Sequence, residues 1–74
     1  MTFEEAMTVF YDENALLEYD NLHSNDEDRF RILGSSELGN ILLVVHCIIE
    51  EKIIRIRSSR KATLTERWNY ERGV

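Results

Sequence analysis

The sequence predicts a small α+β fold: a three-strand antiparallel meander with a helix at either end. Three observations predict it. Apolar residues recur at helical spacing near the start of the chain, and a second helix-starting pattern lies near its end. Between them, RFRILG, ILLVVHCII and IIRIR are apolar-rich runs of strand length. Short polar segments, SSELGN and EEK, separate these runs and read as turns.

The first element is the stretch TFEEAMTVFYD. Phe3, Ala6, Met7 and Phe10 recur at i, i+3, i+4 and i+7 and build one apolar stripe. Thr2 followed by Glu5 has the capping-box spacing: the hydroxyl accepts an orphan N–H while the glutamate reaches back. Residues 12–27 are acidic and have no period. Leu16, Leu17, Tyr19 and Leu22 suggest a loop that packs on the body, with room for a short strand, and His23 reads there as a solvated turn residue. DRFRILG reads as a strand with Phe30 and Ile32 on one face and Arg29, Arg31 and Leu33 on the other. ILLVVHCIIE follows. Both of its faces are apolar, so it reads as a central strand covered on two sides. In KIIRIRSS, Ile54 and Ile56 face one way, and Ile53, Arg55, Arg57 and Ser59 the other. TLTERWNYERG closes the chain as a helix. Thr63 and Glu66 repeat the capping-box spacing, and Gly73 sits where helices often end.

With 74 residues the chain is read as one domain, residues 1–74. Below ~70–80 residues a core rarely supplies more than about 3–5 kcal/mol, so a staple or partner is common. Cys47 is the only cysteine, so no disulfide forms within the chain, and the usage fits a reducing compartment. Cys47 with His23 and His46 makes no zinc-ligand pattern, and neither a metal nor a cofactor is expected. The first ten residues carry two glutamates and no basic segment, unlike a signal peptide. The longest apolar run falls well short of the ~20 residues of a membrane helix. The chain is therefore read as soluble and cytoplasmic, with no membrane partner.

Charge divides sharply. Residues 1–51 hold twelve acids and two bases, a net of −10; residues 52–74 hold seven bases and two acids, a net of +5. Arg55 and Arg57 share a strand face, Arg60 and Lys61 follow in a loop, and Arg67 lies one turn into the last helix. Arginine's planar fork suits phosphate, so these side chains are candidate ligands for a phosphate backbone. The expectation is that they gather into one accessible pocket beside the start of the last helix, whose N–H groups add partial positive charge. The bland alternative is a solvated strand face paired to acids from residues 12–28. Candidates for proton transfer are His46, Glu27 and Tyr70. Pairing of the last two strands brings His46 near Arg55 or Arg57 if they share a face, and a neighbouring cation lowers a histidine pKa.

Four segments, FEEAMTVFYD, NDEDRFRILG, ILLVVH and IRIRSSRKATLTERWNYE, together resemble the BrnT family of ribonuclease toxins. The last is the most specific. That family carries an Arg-Ile-Ile-Ser-Ala-Arg-Arg-Ala-Thr run followed by Glu-Arg and a Tyr. Arg55, Ser58, Arg60, Ala62, Thr63, Glu66, Arg67 and Tyr70 occupy matching places here. Lys61 replaces an arginine, keeping charge but losing the fork, and Arg57 stands where an aliphatic residue is usual. Glu27, Arg29 and Gly34 match an earlier Glu-x-Arg-Phe-x-x-x-Gly pattern approximately.

The resemblance implies a RelE-like fold and metal-independent endoribonuclease activity that inhibits translation and growth. It implies a BrnA-like antitoxin that carries the DNA-binding segment, so promoter DNA is met only through the antitoxin. Arg55, Arg60, His46, Glu27 and Tyr70 are then the catalytic candidates, and Arg57, Lys61 and Arg67 the RNA-binding ones. The family opens with a further strand and helix ending in Lys-His-Gly-Val-Ser, whereas this chain opens at MTFEEA. An N-terminally truncated domain is thus expected, with a bare sheet edge covered by a second copy in a homodimer. The rival expectation is a truncated, catalytically inactive relative acting as an antitoxin-binding or corepressor module.

Overall fold

The middle of the chain folds into the expected meander, with one strand more than the three expected. The structure, a computed structural model, describes residues 1–22 and 27–73; His23 lies outside the described residues. Helix α1 (Phe3–Thr8) runs into a 3-10 turn, Val9–Tyr11. Then come β1 (Leu16–Tyr19), β2 (Arg29–Ser35), β3 (Ile41–Ile49), β4 (Ile53–Lys61) and helix α2 (Leu64–Arg72). The strands form one sheet in the order β1-β2-β3-β4, every neighbour antiparallel. The added strand, β1, lies in the acidic stretch 12–27. Four residues are too few to display a period, and β1 is recognised by its pairing, Leu16 opposite Leu33 and Tyr19 opposite Phe30.

Register assigns the faces. Phe30, Ile32 and Gly34 lie opposite His46, Val44 and Leu42, and β4 adds Ile56 opposite His46. This is the α1 face. Ala6 and Val9 pack there on Ile32, Leu42 and Val44, with Phe10, Ala15 and Ile56 at the margin. The other face carries Arg29, Arg31 and Leu33 against Cys47, Val45 and Leu43, and Arg55 and Arg60 opposite Cys47 and Leu43. This is the α2 face. β3 is covered on both sides at Leu42, Val44 and Cys47, which have no exposed surface.

Gly34 sets how closely the α1 turn approaches the sheet. A Cβ there would stand 3.0 Å from Ala15 Cβ and Val9 Cγ1, and 3.1 Å from Asp12 Oδ2. At the α1 N-terminus, Thr2 accepts the Glu5 N–H at 3.0 Å. The Glu5 carboxylate does not reach back; it accepts from Ser36 Oγ at 2.6 Å and Asn40 Nδ2 at 2.7 Å, tying the helix to the β2–β3 turn. These two hydrogen bonds hold the Glu5 carboxyl below the ordinary carboxylate range. α2 keeps the whole capping box: Thr63 N–H donates to Glu66 at 2.8 Å, and Glu66 N–H to Thr63 Oγ1 at 3.2 Å. It ends at Gly73, whose φ of 73° only glycine adopts without strain.

Candidate nucleic-acid interface

The basic face is shaped by a β-bulge. Val45 pairs with Ser58 but His46 pairs with Ile56, so Arg57 is an extra residue in β4. Strict alternation would place Ser59 beside Arg55 and Arg57. The bulge instead turns Ser59 to the α1 face, opposite Val44, and sends Arg60 to the α2 face, opposite Leu43. The sequence carries no clear signal for this shift.

The cations nonetheless do not form one pocket. At the hairpin end of the α2 face, Arg57 Nη2 lies 3.4 Å from Glu27 Oε1, an ion pair too long for a good hydrogen bond. Arg55 is exposed and makes no ion pair with a described residue. Beneath them Cys47 is buried. Burial first, then the neighbouring Glu27, push its thiol pKa up, so the thiol stays protonated. Arg31 pairs with Glu18 across β1 and β2. The acidic stretch therefore does supply counter-charges to the arginine face, through Glu18 and Glu27.

Arg60 is held differently. Its guanidinium donates to Glu66 at 2.7 Å and 3.0 Å, a bidentate fork. The same carboxylate caps α2. The Arg60 hydrogen bonds, helped by those of Thr63 and against the effect of burial, hold Glu66 at a pKa of about 2. Lys61 and Arg67 fall elsewhere again. With Asn40 and Ala62 they line a cavity of about 170 Å³ beside the β2–β3 turn. Neither has an ion-pair partner among the described residues. Lys61 lies six residue steps along the strand from Arg55, about 20 Å at roughly 3.3 Å each.

The proton-transfer candidates are dispersed as well. His46 does not share a face with Arg55: its β4 partner is Ile56, and it lies on the α1 face. Only 3 % exposed, it sits edge-on to Phe10 at 4.8 Å and stacks on Phe30 at 5.8 Å. Burial, not a cation, lowers its pKa. Tyr70 donates its hydroxyl to Asp12 Oδ2 at 2.5 Å, which raises the phenol pKa to about 12. Glu27 alone of the three stands beside cations. Asp12 went unnoticed in the sequence. Burial works to raise its pKa. The Ser35 N–H at 2.8 Å, Tyr70 and the Asn14 N–H outweigh that and lower it. Its Asx turn to Asn14 is the one local signal the sequence offers. Among the described residues no three His, Cys, Asp or Glu side chains converge as metal ligands, and no helix is long and apolar enough to cross a membrane.

Fold and surface together define a small antiparallel-sheet protein with a cationic edge strand and a polar second helix. Residues 1–66 match the family described as ribonuclease toxin, BrnT, of type II toxin-antitoxin system, and the chain belongs to that family. The match takes in Glu27, β4 with Arg55, Arg57 and Arg60, and the capping box with Glu66. In a comparison with curated proteins, none matches. A type II system pairs its toxin with a protein antitoxin, so a protein partner comes with the family.

Proposed function

We propose that this chain is a metal-independent endoribonuclease, acting in the cytoplasm of a bacterium, whose cleavage of RNA stops translation and growth. The observation that supports it best is the loose Glu27–Arg57 pair with Arg55, which has no ion-pair partner among the described residues, beside it on the open part of the α2 face. A pair at 3.4 Å keeps both partners available to a ligand, whereas the Arg60–Glu66 fork does not. RNA cleavage without a metal uses the 2′-hydroxyl as nucleophile on the adjacent phosphate. Glu27 takes the 2′ proton, Arg55 and Arg57 face the charge that builds on the phosphate oxygens, and the departing 5′-oxygen gains a proton from solvent. The products are a cyclic phosphate and a 5′-hydroxyl.

In this reading Lys61 and Arg67 bind the RNA backbone further along. Arg60 and Tyr70 position α2, and His46 packs beneath β2 and β3. The protein partner is a BrnA-like antitoxin that carries the pair to its promoter DNA. A homodimer forms through the other sheet edge, β1, where Leu17 and Tyr19 are exposed. Gel filtration at micromolar concentration checks the dimer; a clean monomer removes it. The activity is tested with purified protein and a defined RNA in EDTA. Arg55→Ala abolishes cleavage and Arg60→Ala weakens it; equal cleavage by wild type and Arg55→Ala overturns the assignment.

A second reading is a catalytically inactive relative that serves as an antitoxin-binding or corepressor module. The engagement of Arg60 and Tyr70 by the chain's own carboxylates favours it. Co-purification with an antitoxin, with no RNA loss and no growth arrest on expression, selects it.

A further inference from the structure

Helix α2 turns Leu64 and Trp68 away from the sheet. Glu66 and Tyr70 reach inward to Arg60 and Asp12. Leu64 and Trp68, one turn apart, lie on the other side, and both are largely exposed. A single exposed apolar residue needs no explanation, but these two adjoin each other and a set of cations. Trp68 lies beyond residues 1–66, the span matched to the family, so the family assignment does not account for it.

The charge around the ring is mainly positive. Arg72 stands over the indole at 5.9 Å from its centroid, at the outer limit of a cation–π contact. Arg67 is turned about 100° from Trp68 around the helix and lines the cavity of about 170 Å³ with Lys61 and Asn40. Neither Lys61 nor Arg67 pairs with an acid among the described residues. Glu5, which feels the charge of Lys61, is already engaged by Ser36 and Asn40. The acids of α2 are Glu66, committed to Arg60, and Glu71. Lys61, Arg67 and Arg72 thus outnumber Glu71 around this part of the helix.

This arrangement fits one nucleotide unit of a single strand. A cavity of this size with two cations seats a phosphate, and the exposed ring beside it offers a face to a base. A duplex cannot use the ring, because its bases are already stacked within the helix. A protein surface would cover Leu64 and Trp68 but would have to neutralise three cations, whereas a polynucleotide brings a negative charge with every unit.

We propose that Trp68 is a base-stacking platform for single-stranded RNA, with Lys61 and Arg67 holding the phosphate next to the stacked base. Stacking tolerates any sequence, because every base has a π-face, so the site selects for single strands. The platform deepens the nuclease reading, and its reach to the reaction centre rests on that reading. Lys61 is about 20 Å along β4 from Arg55 at roughly 3.3 Å per residue, about six nucleotides of a stacked strand at ~3.4 Å each.

The test uses the full chain and an eight-nucleotide RNA with 2′-O-methyl riboses, which binds but cannot supply the attacking hydroxyl. Trp68 is the only tryptophan, so its emission reports the contact without a label. The single strand quenches it. An oligomer with the same backbone and no bases does not, nor does a duplex of the same sequence. Trp68→Ala, at an exposed position, weakens binding of a dye-labelled single strand at least about fivefold, and Trp68→Phe recovers part of the loss. Equal quenching by the abasic oligomer makes the contact one of phosphate alone and overturns the platform. Unchanged RNA affinity in Trp68→Ala overturns it too, and loss of antitoxin co-purification in that variant then assigns the ring to the protein partner. Quenching by a chain that cleaves no unmodified RNA leaves the platform standing and removes the nuclease. Cleavage by wild type and Trp68→Ala at equal KM, with no quenching, removes the platform and leaves the nuclease.

Discussion

Helices α1 and α2 lie against opposite faces of one sheet, yet they are held there by different forces. α1 and its 3-10 turn bury Ala6 and Val9 completely on Ile32, Leu42 and Val44. α2 buries no residue; Leu64 is 83 % and Trp68 62 % exposed. It is fastened by two polar ties, Arg60 to Glu66 near its start and Tyr70 to Asp12 near its end. Apolar burial is the main force on α1, with one ionisable tie, Glu5 to Ser36 and Asn40. The ties of α2 depend on ionisation and on salt. The physical lesson is that the core and the basic surface can be perturbed separately, because α2 can loosen while the α1 face stays packed.

The largest expected effect separates the two faces outright. Leu42→Ala removes a fully buried side chain and costs about 2–5 kcal/mol. Leu64→Ala, on exposed α2, changes stability by no more than about 0.5 kcal/mol. Urea denaturation of both variants checks the contrast, and equal losses break it.

Gly34→Ala probes the seam where the two regions meet, because the added methyl meets both Val9 of the α1 turn and the Asp12 carboxylate that holds Tyr70. Overpacking of this kind costs about 1–3 kcal/mol. Both Trp68 fluorescence and the global melt respond. A response in only one of them would mean that the seam does not couple the faces.

Smaller effects stay within α2. Thr63→Ala deletes the N-cap acceptor and costs about 1 kcal/mol. Tyr70→Phe deletes a hydrogen bond to a charged group, about 1.5–3 kcal/mol if fully lost, less here because the site is only partly buried. In hydrogen exchange both variants speed the α2 amides and leave β3 protected.

The smallest effect is a pH signature. Glu66 has its folded pKa depressed from 4.5 to about 2, so its tie is fully present above pH 4.5 and is lost as pH falls toward 2. Tyr70 has its folded pKa raised from 10.0 to about 12, so its tie is present below pH 10 and is lost as pH rises toward 12. The Arg60–Glu66 pair has a half-exposed guanidinium, so the acid limb is worth no more than about 1 kcal/mol. Trp68 emission therefore changes at both extremes before the far-ultraviolet sheet signal does. Coincident transitions would show α2 to be part of the cooperative core.

Much of this was legible in the chain. The covered β3, both turns and the α2 capping box follow from spacing alone, because burial and capping impose fixed periods. The α1 stripe holds only in part, since Ala6 is buried but Phe3 is 60 % exposed and Val9, outside the stripe, fills the core. Glycine at position 34 appeared only as part of a family pattern; its reason is the close approach of Val9, Ala15 and Asp12. β1 was too short for its period to be read. The arginine face was misjudged for two physical reasons. A single bulge after Ile56 rephases β4 and brings Arg60 onto the face of Arg55 but further along the strand, and bulges depend on long-range pairing. Glu66, read only as a cap, also holds Arg60, a contact between elements that helix spacing cannot reveal.

The central claim is that Glu27, Arg55 and Arg57 form a reaction centre on the α2 face. Cleavage of a defined RNA in EDTA by wild type and Glu27→Gln, at matched thermal stability, tests it most directly. The account predicts metal-free cleavage by the wild type and a loss of about 100-fold or more in Glu27→Gln, the scale of a positioned proton acceptor. Equal rates from the two proteins would contradict it.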